Sequence, residues 1–393
     1  MSSPVDEEAP LPIPNLALPQ AVFVLSNPAF SHLHDKARQD LINGITSDEM
    51  APFLETIIKE SPSVIGSTDS AELLSKLQAA NETALAKFET EIKEAEDSMG
   101  ETEVSDVLRK KAAYLTKIGD KERSLAALEL ALEKTPGIGA RIDIVLTIIR
   151  VGFFFNDNNI ITTNLPKASV LVNEGGDWDR RNRLKVYQGL YYLVIRDFKQ
   201  GGELLIDALS TFTATELMAY DDFVGVCVLG CMVWMERVDI KKKIINSPEI
   251  RQIFPSQSNL EDFATSLHNC DYAKFFKSLA AIEQDYLLPS KILSPHARYF
   301  VREMRIISYA QLLASYKSLT LDSMARAFGV SPEFIDSDLS RLISSGRLNC
   351  TIDKVSGIVM TSRRDKKNAQ YEQVIKQGDL LLNSLSKLSK VIV

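Results

Sequence analysis

The strongest constraint in this chain is a rhythm that recurs between residues 109 and 288. An apolar helical stretch, a short polar break containing aspartate and a second apolar helical stretch follow one another repeatedly. The clearest copy is RKKAAYLTKIGDKERSLAALELALEKTPG, where Gly-Asp separates two helical patterns and Pro136 closes the second. The pattern returns as IVLTIIRVGFFFNDNNIITTNLPKASVLV and RLKVYQGLYYLVIRDFKQGGELLIDALSTF, then more loosely around VWMERVDIKKKII and SLHNCDYAKFFKSLAAIEQDYLLP. With Asp120, Asp157, Asp197, Asp239 and Asp271 as turn markers, the spacings are 37, 40, 42 and 32 residues, the length of one antiparallel helix pair. Each pair has a face that it cannot bury alone, so the pairs are expected to stack. The reading for 109–294 is a mainly α, right-handed solenoid of tetratricopeptide-like (TPR-like) repeats.

Ahead of the repeats, residues 1–20 carry five prolines and are expected to be extended or disordered, because proline donates no amide hydrogen. Residues 21–108 read as an N-terminal helical region broken at Pro28, Pro52 and Pro62. Within it, Ala71 to Met99 lacks Pro and Gly and alternates charge at helical spacing, which predicts one long solvated helix. A chain of 393 residues with 45% apolar content can bury a large core in two or more units. Its net charge of −7 gives no general attraction to nucleic acid or anionic membrane. The longest apolar run, FVGVCVLGCMVWM at 223–235, is too short to span a bilayer and reads as a buried helix. The acidic, proline-rich start has no basic signal-peptide region, so a soluble intracellular protein is expected.

The sequence contains no phosphate-binding G-x-x-x-x-G-K-[ST] loop, H-E-x-x-H zinc helix or G-x-S-x-G elbow. His32 and His34 form an H-x-H, but Ile42 and Ile45 stand where a metal-dependent isopeptidase pattern needs Ser and Asp. Cys227 and Cys231 lie one helical turn apart among Val, Leu, Met and Trp, which points to packing, and Cys270 and Cys350 add no C-x-x-C pair. No catalytic residue, cofactor or metal is expected. DWDRRNRLK, Asp177 to Lys185, is a dense basic patch whose own aspartates and single aromatic, Trp178, favour inter-repeat salt bridges over RNA binding.

Residues 295–365 read as a winged helix. Thr320 caps a helix with the stripe Leu321, Met324, Ala325 and Phe328, Gly329 ends it, and Ser331-Pro332-Glu333 opens a second helix closed at Gly346. Ile335, Leu339, Leu342 and Ile343 form the buried face of that helix. RLNCTID and SGIVM then read as a two-stranded wing. The outward positions Glu333, Asp336, Ser337, Asp338, Ser340, Arg341 and Ser344 hold three carboxylates against one guanidinium, the wrong surface for reading DNA. A polar hinge, TSRRDKKN at 361–368, leads into a final helix from Ala369 to Val393, so 366–393 reads as the end of the hinge and that helix. Tyr371, Val374, Gly378, Leu381, Leu385, Leu388 and Ile392 form its heptad seam.

Helical repeats leading through SLHNCDYAKFFKSL into a winged helix and a terminal helix resemble the PCI-domain family, the scaffold subunits of the proteasome lid, the signalosome and translation initiation factor three. Two long segments, EGGDWDRRNRLKVYQGLYYLVIRDFKQGGELLIDALSTFT and LSPHARYFVREMRIISYAQLLASYKSLTLDSMARAFGVSPEFIDSDLSRLI, carry the most specific part of the resemblance. It implies a non-catalytic scaffold in the cytoplasm and nucleus. Its winged helix would pair edge to edge with other PCI subunits through Leu348, Asn349, Cys350, Thr351, Ile352, Ile358, Val359 and Met360. Its terminal helix would join a bundle through Val374, Leu381, Leu385, Leu388 and Ile392. The implied partners are lid subunits, including the metal-dependent deubiquitinase, and the proteasome ATPase ring and core particle, with no nucleic acid and no membrane. A signalosome scaffold and an RNA-associated initiation adaptor are the alternatives.

Overall fold

The helix pairs are built on one repeated turn. In the computed structural model, which describes residues 12–60, 69–98, 101–361 and 366–392, α1 (Ala17–Ser26), α2 (His34–Ser47), α3 (Ala51–Glu60) and the long α4 (Asp69–Ser98) come first. They are followed by α5 (Glu101–Lys117), α6 (Lys121–Lys134), α7 (Ile138–Phe155), α8 (Asn158–Gly175), α9 (Trp178–Val194) and α10 (Phe198–Asp207). Between α5 and α6, α7 and α8, and α9 and α10, a left-handed residue precedes an aspartate: Gly119 at φ 76°, Asn156 at 56° and Arg196 at 69°. The aspartate amide reaches back five residues, from Asp120 to the Leu115 carbonyl (3.4 Å), Asp157 to Gly152 (2.9 Å) and Asp197 to Tyr192 (2.8 Å). Each carboxylate then accepts from an amide of the next helix: Asp120 from Arg123, Asp157 from Asn159 and Asp197 from Gln200, each at 3.1 Å. One two-residue device thus meets orphan carbonyls of the first helix and orphan amides of the second.

Next come α11 (Tyr220–Met232), α12 (Arg237–Asp239, continuing as a π-helical turn over Ile240–Ile245), α13 (Pro248–Ile253), α14 (Ser258–Asn269) and α15 (Tyr272–Ile282). Cys270 at φ 63° and Asp271 repeat the device between α14 and α15, with Asp271 accepting from the Lys274 amide at 3.2 Å. The marker at Asp239 is corrected. It has helical angles (φ −74°, ψ −35°) and caps nothing, while the extended residue that starts this helix is Glu236 (ψ 152°). The chain closes with α16 (Ala297–Ser315), β1 (Ser318–Thr320), α17 (Leu321–Phe328), α18 (Pro332–Ser344), β2 (Cys350–Asp353), β3 (Ile358–Thr361) and α19 (Lys366–Ile392). The fold is mainly helical, as the repeats require.

Two units divide the chain. One holds everything up to Ala264 together with Ala280–Phe300, and the other holds Thr265–Leu279 and the chain from Val301 onward. The division therefore differs from the 294/295 boundary expected from sequence. Most of α15 belongs with the winged helix because Tyr272 and Phe276 pack against Phe328, tilted and edge-on, at 4.8 and 4.9 Å between ring centres. In the first unit, Leu18, Leu41, Ile45, Met50 and Leu54 gather with Phe154, and Leu108, Ala112, Leu128 and Ala131 gather with Ile144 and Ile148. Backbones approach closely in the α9–α10 hairpin, where a Cβ on Gly189 would lie 2.7 Å from Leu205 and one on Gly201 would lie 3.0 Å from the Gly189 carbonyl.

Helix α1 starts at Ala17, inside the stretch expected to be extended, because Pro19 sits in its first turn where no helical amide bond is lost. The rest of that expectation falls partly on residues 1–11, outside the described residues. Pro52 lies at the start of α3 and does not break it, and Pro62 is outside the described residues.

If the aspartates hold the hairpins closed, Asp197→Ala should cost about 1 kcal/mol locally. Amide exchange at Phe198–Gly201 should then speed up about fivefold. Asp239→Ala should leave exchange in its own segment within about twofold, since it removes no cap.

Candidate protein-interaction surfaces

The winged helix forms from the capping residues identified above. Thr320 Oγ1 accepts from the Ser323 amide and Ser331 Oγ from Phe334, each at 3.3 Å, while Gly329 is left-handed at φ 68°. Met324, Ala325, Phe328, Ile335, Leu339 and Leu342 are buried with Tyr309, Leu348, Cys350 and Val359, and Ile343 and Ile352 lie against them. Arg347 donates to the buried carboxylate of Glu303 on α16, fixing the chain just before β2.

The wing has three strands rather than two, in the order β1-β3-β2, both pairings antiparallel. This corrects the expected edge. β3 is paired on both sides, so Ile358, Val359 and Met360 offer no free backbone to another strand. In β2 the side chains alternate: Cys350 and Ile352 turn to the core, and Thr351 and Asp353 are exposed. The backbone alternates too. The Thr361 amide donates to the Lys317 carbonyl and the Leu321 amide to Gly357, so residues 357, 359 and 361 spend their backbone bonds on β1. Residues 358 and 360 then bond β2 at Asp353 and Thr351, their partners in register. The β2 groups that point away from the sheet are consequently the amides and carbonyls of Cys350 and Ile352. Asn349 and Thr351 have the opposite parity.

Helix α18 shows less free carboxylate than its sequence suggests. Asp338 turns inward and accepts from Arg305 Nη1 at 3.2 Å and Tyr309 Oη at 3.0 Å. Burial, reinforced by Asp338, pushes the Tyr309 hydroxyl far above the ordinary tyrosine range. Asp336 accepts from Lys354 Nζ at 3.0 Å across the wing. Glu333, Ser337, Arg341 and Ser344 remain exposed, which still presents a single guanidinium to any base edge.

The basic patch is answered by ion pairs between neighbouring helix pairs. Arg180 and Arg183 of α9 both reach Asp143 of α7, at 2.7 and 3.1 Å, and Arg183 also meets Asp179 at 2.9 Å. Lys185 pairs with Asp207 of α10. His32 is exposed and His34 bonds the Asn27 carbonyl at 3.0 Å. Cys227 and Cys231 are buried, and the Cys231 thiol donates to the Gly202 carbonyl at 3.4 Å. Its hydrogen bond with Cys231, and then burial, raise the Cys227 thiol well above its usual range, so it packs as a neutral side chain. Among the described residues no group of His, Cys, Asp and Glu is arranged to hold a metal, and no helix is long and apolar enough to cross a membrane.

Helix α19 leaves its seam uncovered. Val374, Leu381, Leu385 and Leu388 are 60–65% exposed, and Tyr371, Ile375, Leu380 and Leu382 are equally open. Ile392 lies on the same helix. Of the polar hinge, 362–365 lie outside the described residues and 366–368 already belong to the helix.

Helical repeats joined to a winged helix and an unpartnered terminal helix define a PCI-domain protein, and a PCI domain model matches residues 274–363. The family model for 26S proteasome subunit RPN7 matches residues 70–243, and that for the 26S proteasome regulatory subunit RPN7/PSMD6 C-terminal helix matches 370–392. The 26S proteasome regulatory subunit rpn7 of Schizosaccharomyces pombe is 40% identical over 97% of both chains. The 26S proteasome non-ATPase regulatory subunit 6 homolog of Arabidopsis thaliana is 41% identical over 96% of this chain and 97% of its own. The 26S proteasome regulatory subunit RPN7 of Saccharomyces cerevisiae is 37% identical over 97% and 94%. The chain belongs to the RPN7/PSMD6 family of 26S proteasome regulatory subunits.

Because Asp338 is a structural partner and Glu333 is free, their charge reversals should separate. Asp338→Lys should destabilise the winged helix by about 2 kcal/mol or more, through an unpaired Arg305 and an orphaned Tyr309 hydroxyl. Glu333→Lys should stay within about 0.5 kcal/mol. Urea unfolding of the two variants measures both.

Proposed function

We propose that this chain is a non-catalytic scaffold of the proteasome regulatory-particle lid, supporting ubiquitin-dependent degradation by holding other subunits in place. The observation that carries this reading is the open leucine seam of α19. A 27-residue helix with Val374, Leu381, Leu385 and Leu388 in water gains roughly 1 kcal/mol or more per side chain once other helices cover it. In this account the seam, with Ile392, enters a helical bundle with other lid subunits, including the metal-dependent deubiquitinase. The PCI edge, Leu348 to Ile352, receives a strand from a neighbouring PCI subunit, and the assembled particle meets the ATPase ring and core particle in the cytoplasm and nucleus. The names of the relatives support the proteasome over the signalosome. The paired arginines of the Asp177–Lys185 patch speak against an RNA adaptor, and the account includes no nucleic acid, membrane, cofactor or catalytic step.

Truncation after Asn368 tests the seam. The shortened chain should keep its melting temperature within about 2 °C, because the seam residues Val374, Leu381, Leu385 and Leu388 are mostly exposed, and should fail to copurify with the assembled particle. Collapsed helicity would place the helix in this chain's own core. Proline at Ile352 tests the edge: it deletes an outward amide and should abolish binding of the neighbouring PCI subunit while the domain still folds. Proline at Thr351 should instead unpair β2 from β3 and lower stability.

A further inference from the structure

A groove crosses three neighbouring helices of the first unit. Its first part, about 300 Å³, lies between α8 and α9, where Thr162, Leu165 and Pro166 face Tyr191 and Tyr192. Its second part, about 550 Å³, continues over α10 along Lys199, Gln200, Glu203 and Leu204. Gln188 and Tyr192 line both parts and join them. Helical spacing builds each wall: 162, 165, 166 and 169 share one face of α8, 188, 191 and 192 one face of α9, and 199, 200, 203 and 204 one face of α10. Two hydrogen bonds tie α8 to α9 along the groove, between Thr162 Oγ1 and Tyr191 Oη and from Gln188 Nε2 to Ser169 Oγ, each at 2.9 Å. Its other polar groups are uncommitted. Among the described residues Tyr192 Oη, the Gln200 carboxamide, Lys199 Nζ and the Glu203 carboxylate have no protein partner. Pro166 has no amide, so the Thr162 carbonyl lacks its helical donor.

These dimensions suit an extended peptide. Packed helices stand about 8–10 Å apart, so a groove across three of them is about 20 Å long, the length of about six extended residues. Tyrosine faces beside a proline ring favour a proline-bearing peptide, whose backbone is already extended before it binds. A segment of that kind belongs to this chain. Residues 1–11, MSSPVDEEAPL, are outside the described residues and carry Pro4 and Pro10, with Asp6, Glu7 and Glu8 between them. They precede α1, and α1 is fixed at the end of the helix pairs where Thr162, Tyr192 and Lys199 lie. Leu18 shares a core with Phe154, just before α8, and Thr162 is one turn into α8. Gln20 Oε1 accepts from the Lys291 amide at 2.8 Å, and a few residues on, His296 bonds the Val194 carbonyl at 2.8 Å, next to the last turn of α9 that holds Tyr192. Eleven extended residues reach about 36 Å, enough to enter at Tyr192 and cross to α10. The charges agree as well: Lys199, and Lys167 next to Pro166, are exposed cations along the walls against a single carboxylate, Glu203.

We infer that residues 1–11 lie along this groove as an extended strap, with Pro10 against Pro166 and the two tyrosine rings and the acidic run Asp6 to Glu8 at Lys199. The strap fastens the helices ahead of the repeats to α8, α9 and α10. Because it is tethered through α1, weak contacts suffice: a short tether holds it near the groove at an effective concentration in the millimolar range.

Carbodiimide coupling of the dilute full chain, read by peptide mass spectrometry, tests the seat, because it joins only carboxylates and amines already in contact. Asp6, Glu7 or Glu8 should couple to Lys199 or Lys167 at least about tenfold more than to the exposed Lys110 and Lys242. Tyr192→Ala or Pro10→Gly should lower that coupling at least about fivefold. A synthetic peptide of residues 1–12 gives the second readout. It should bind the chain lacking residues 2–11 and bind the intact chain at least about tenfold more weakly, since the intact chain fills its own groove. Lys199→Glu, an exposed substitution, should weaken peptide binding to the shortened chain at least about fivefold. Coupling spread evenly over distant lysines, or unmoved by both Tyr192→Ala and Pro10→Gly, overturns the strap. Equal peptide binding by the intact and shortened chains marks a groove open to a partner's segment and also overturns it, and no binding to the shortened chain overturns the site.

Discussion

The architecture depends on how a helix hairpin satisfies its backbone. Reversing the chain between two helices exposes carbonyls at one end and amides at the other, and burying those ends without partners costs more than the hairpin gains. Here a left-handed residue followed by aspartate meets both needs at 119–120, 156–157, 196–197 and 270–271. At Arg196 and Cys270 the left-handed backbone is held without glycine, at a cost of about 1 kcal/mol each. Surrounding contacts offset that cost: Arg196 lies 5.2 Å over the Tyr299 ring, and Gln311 donates to the Cys270 sulfur at 3.1 Å.

The same accounting shows where the chain is incomplete. In the winged helix the caps at Thr320 and Ser331 are met and the inward side chains are buried, yet the sheet ends at β2 with the amides and carbonyls of Cys350 and Ile352 turned outward. In α19 the backbone is satisfied and the side chains are not, because its leucines face water. One surface asks for hydrogen bonds and the other for apolar cover. Among the described residues of the second unit neither need is met, and a scaffold that works through other subunits presents both.

Much of this was legible in the sequence because it is local. Thr320, Gly329 and Ser331 announce their caps within three residues of the groups they serve, and four of the five marker aspartates mark real turns. What escaped the sequence depends on distant partners. Strand β1 is three residues, Ser318 to Thr320, with no alternation of its own, and it exists because β3 pairs with it from about 40 positions away. Asp338 reads as a surface residue until Arg305 and Tyr309 arrive from α16. Asp239 misled because aspartate is also common inside first helical turns, where it favours the positive helix end without capping it. The heptad seam of α19 was plain, but periodicity alone does not say whether a stripe is covered by its own chain.

The most direct measurement is residue-resolved amide exchange of Cys350 and Ile352 in the free chain and in the assembled particle. The account predicts fast exchange of both in the free chain and slowing of at least about a hundredfold on assembly, with Thr351 protected in either state through β3. Cys350 and Ile352 amides that are already protected in the free chain, or that stay fast in the particle, would contradict pairing at the β2 edge.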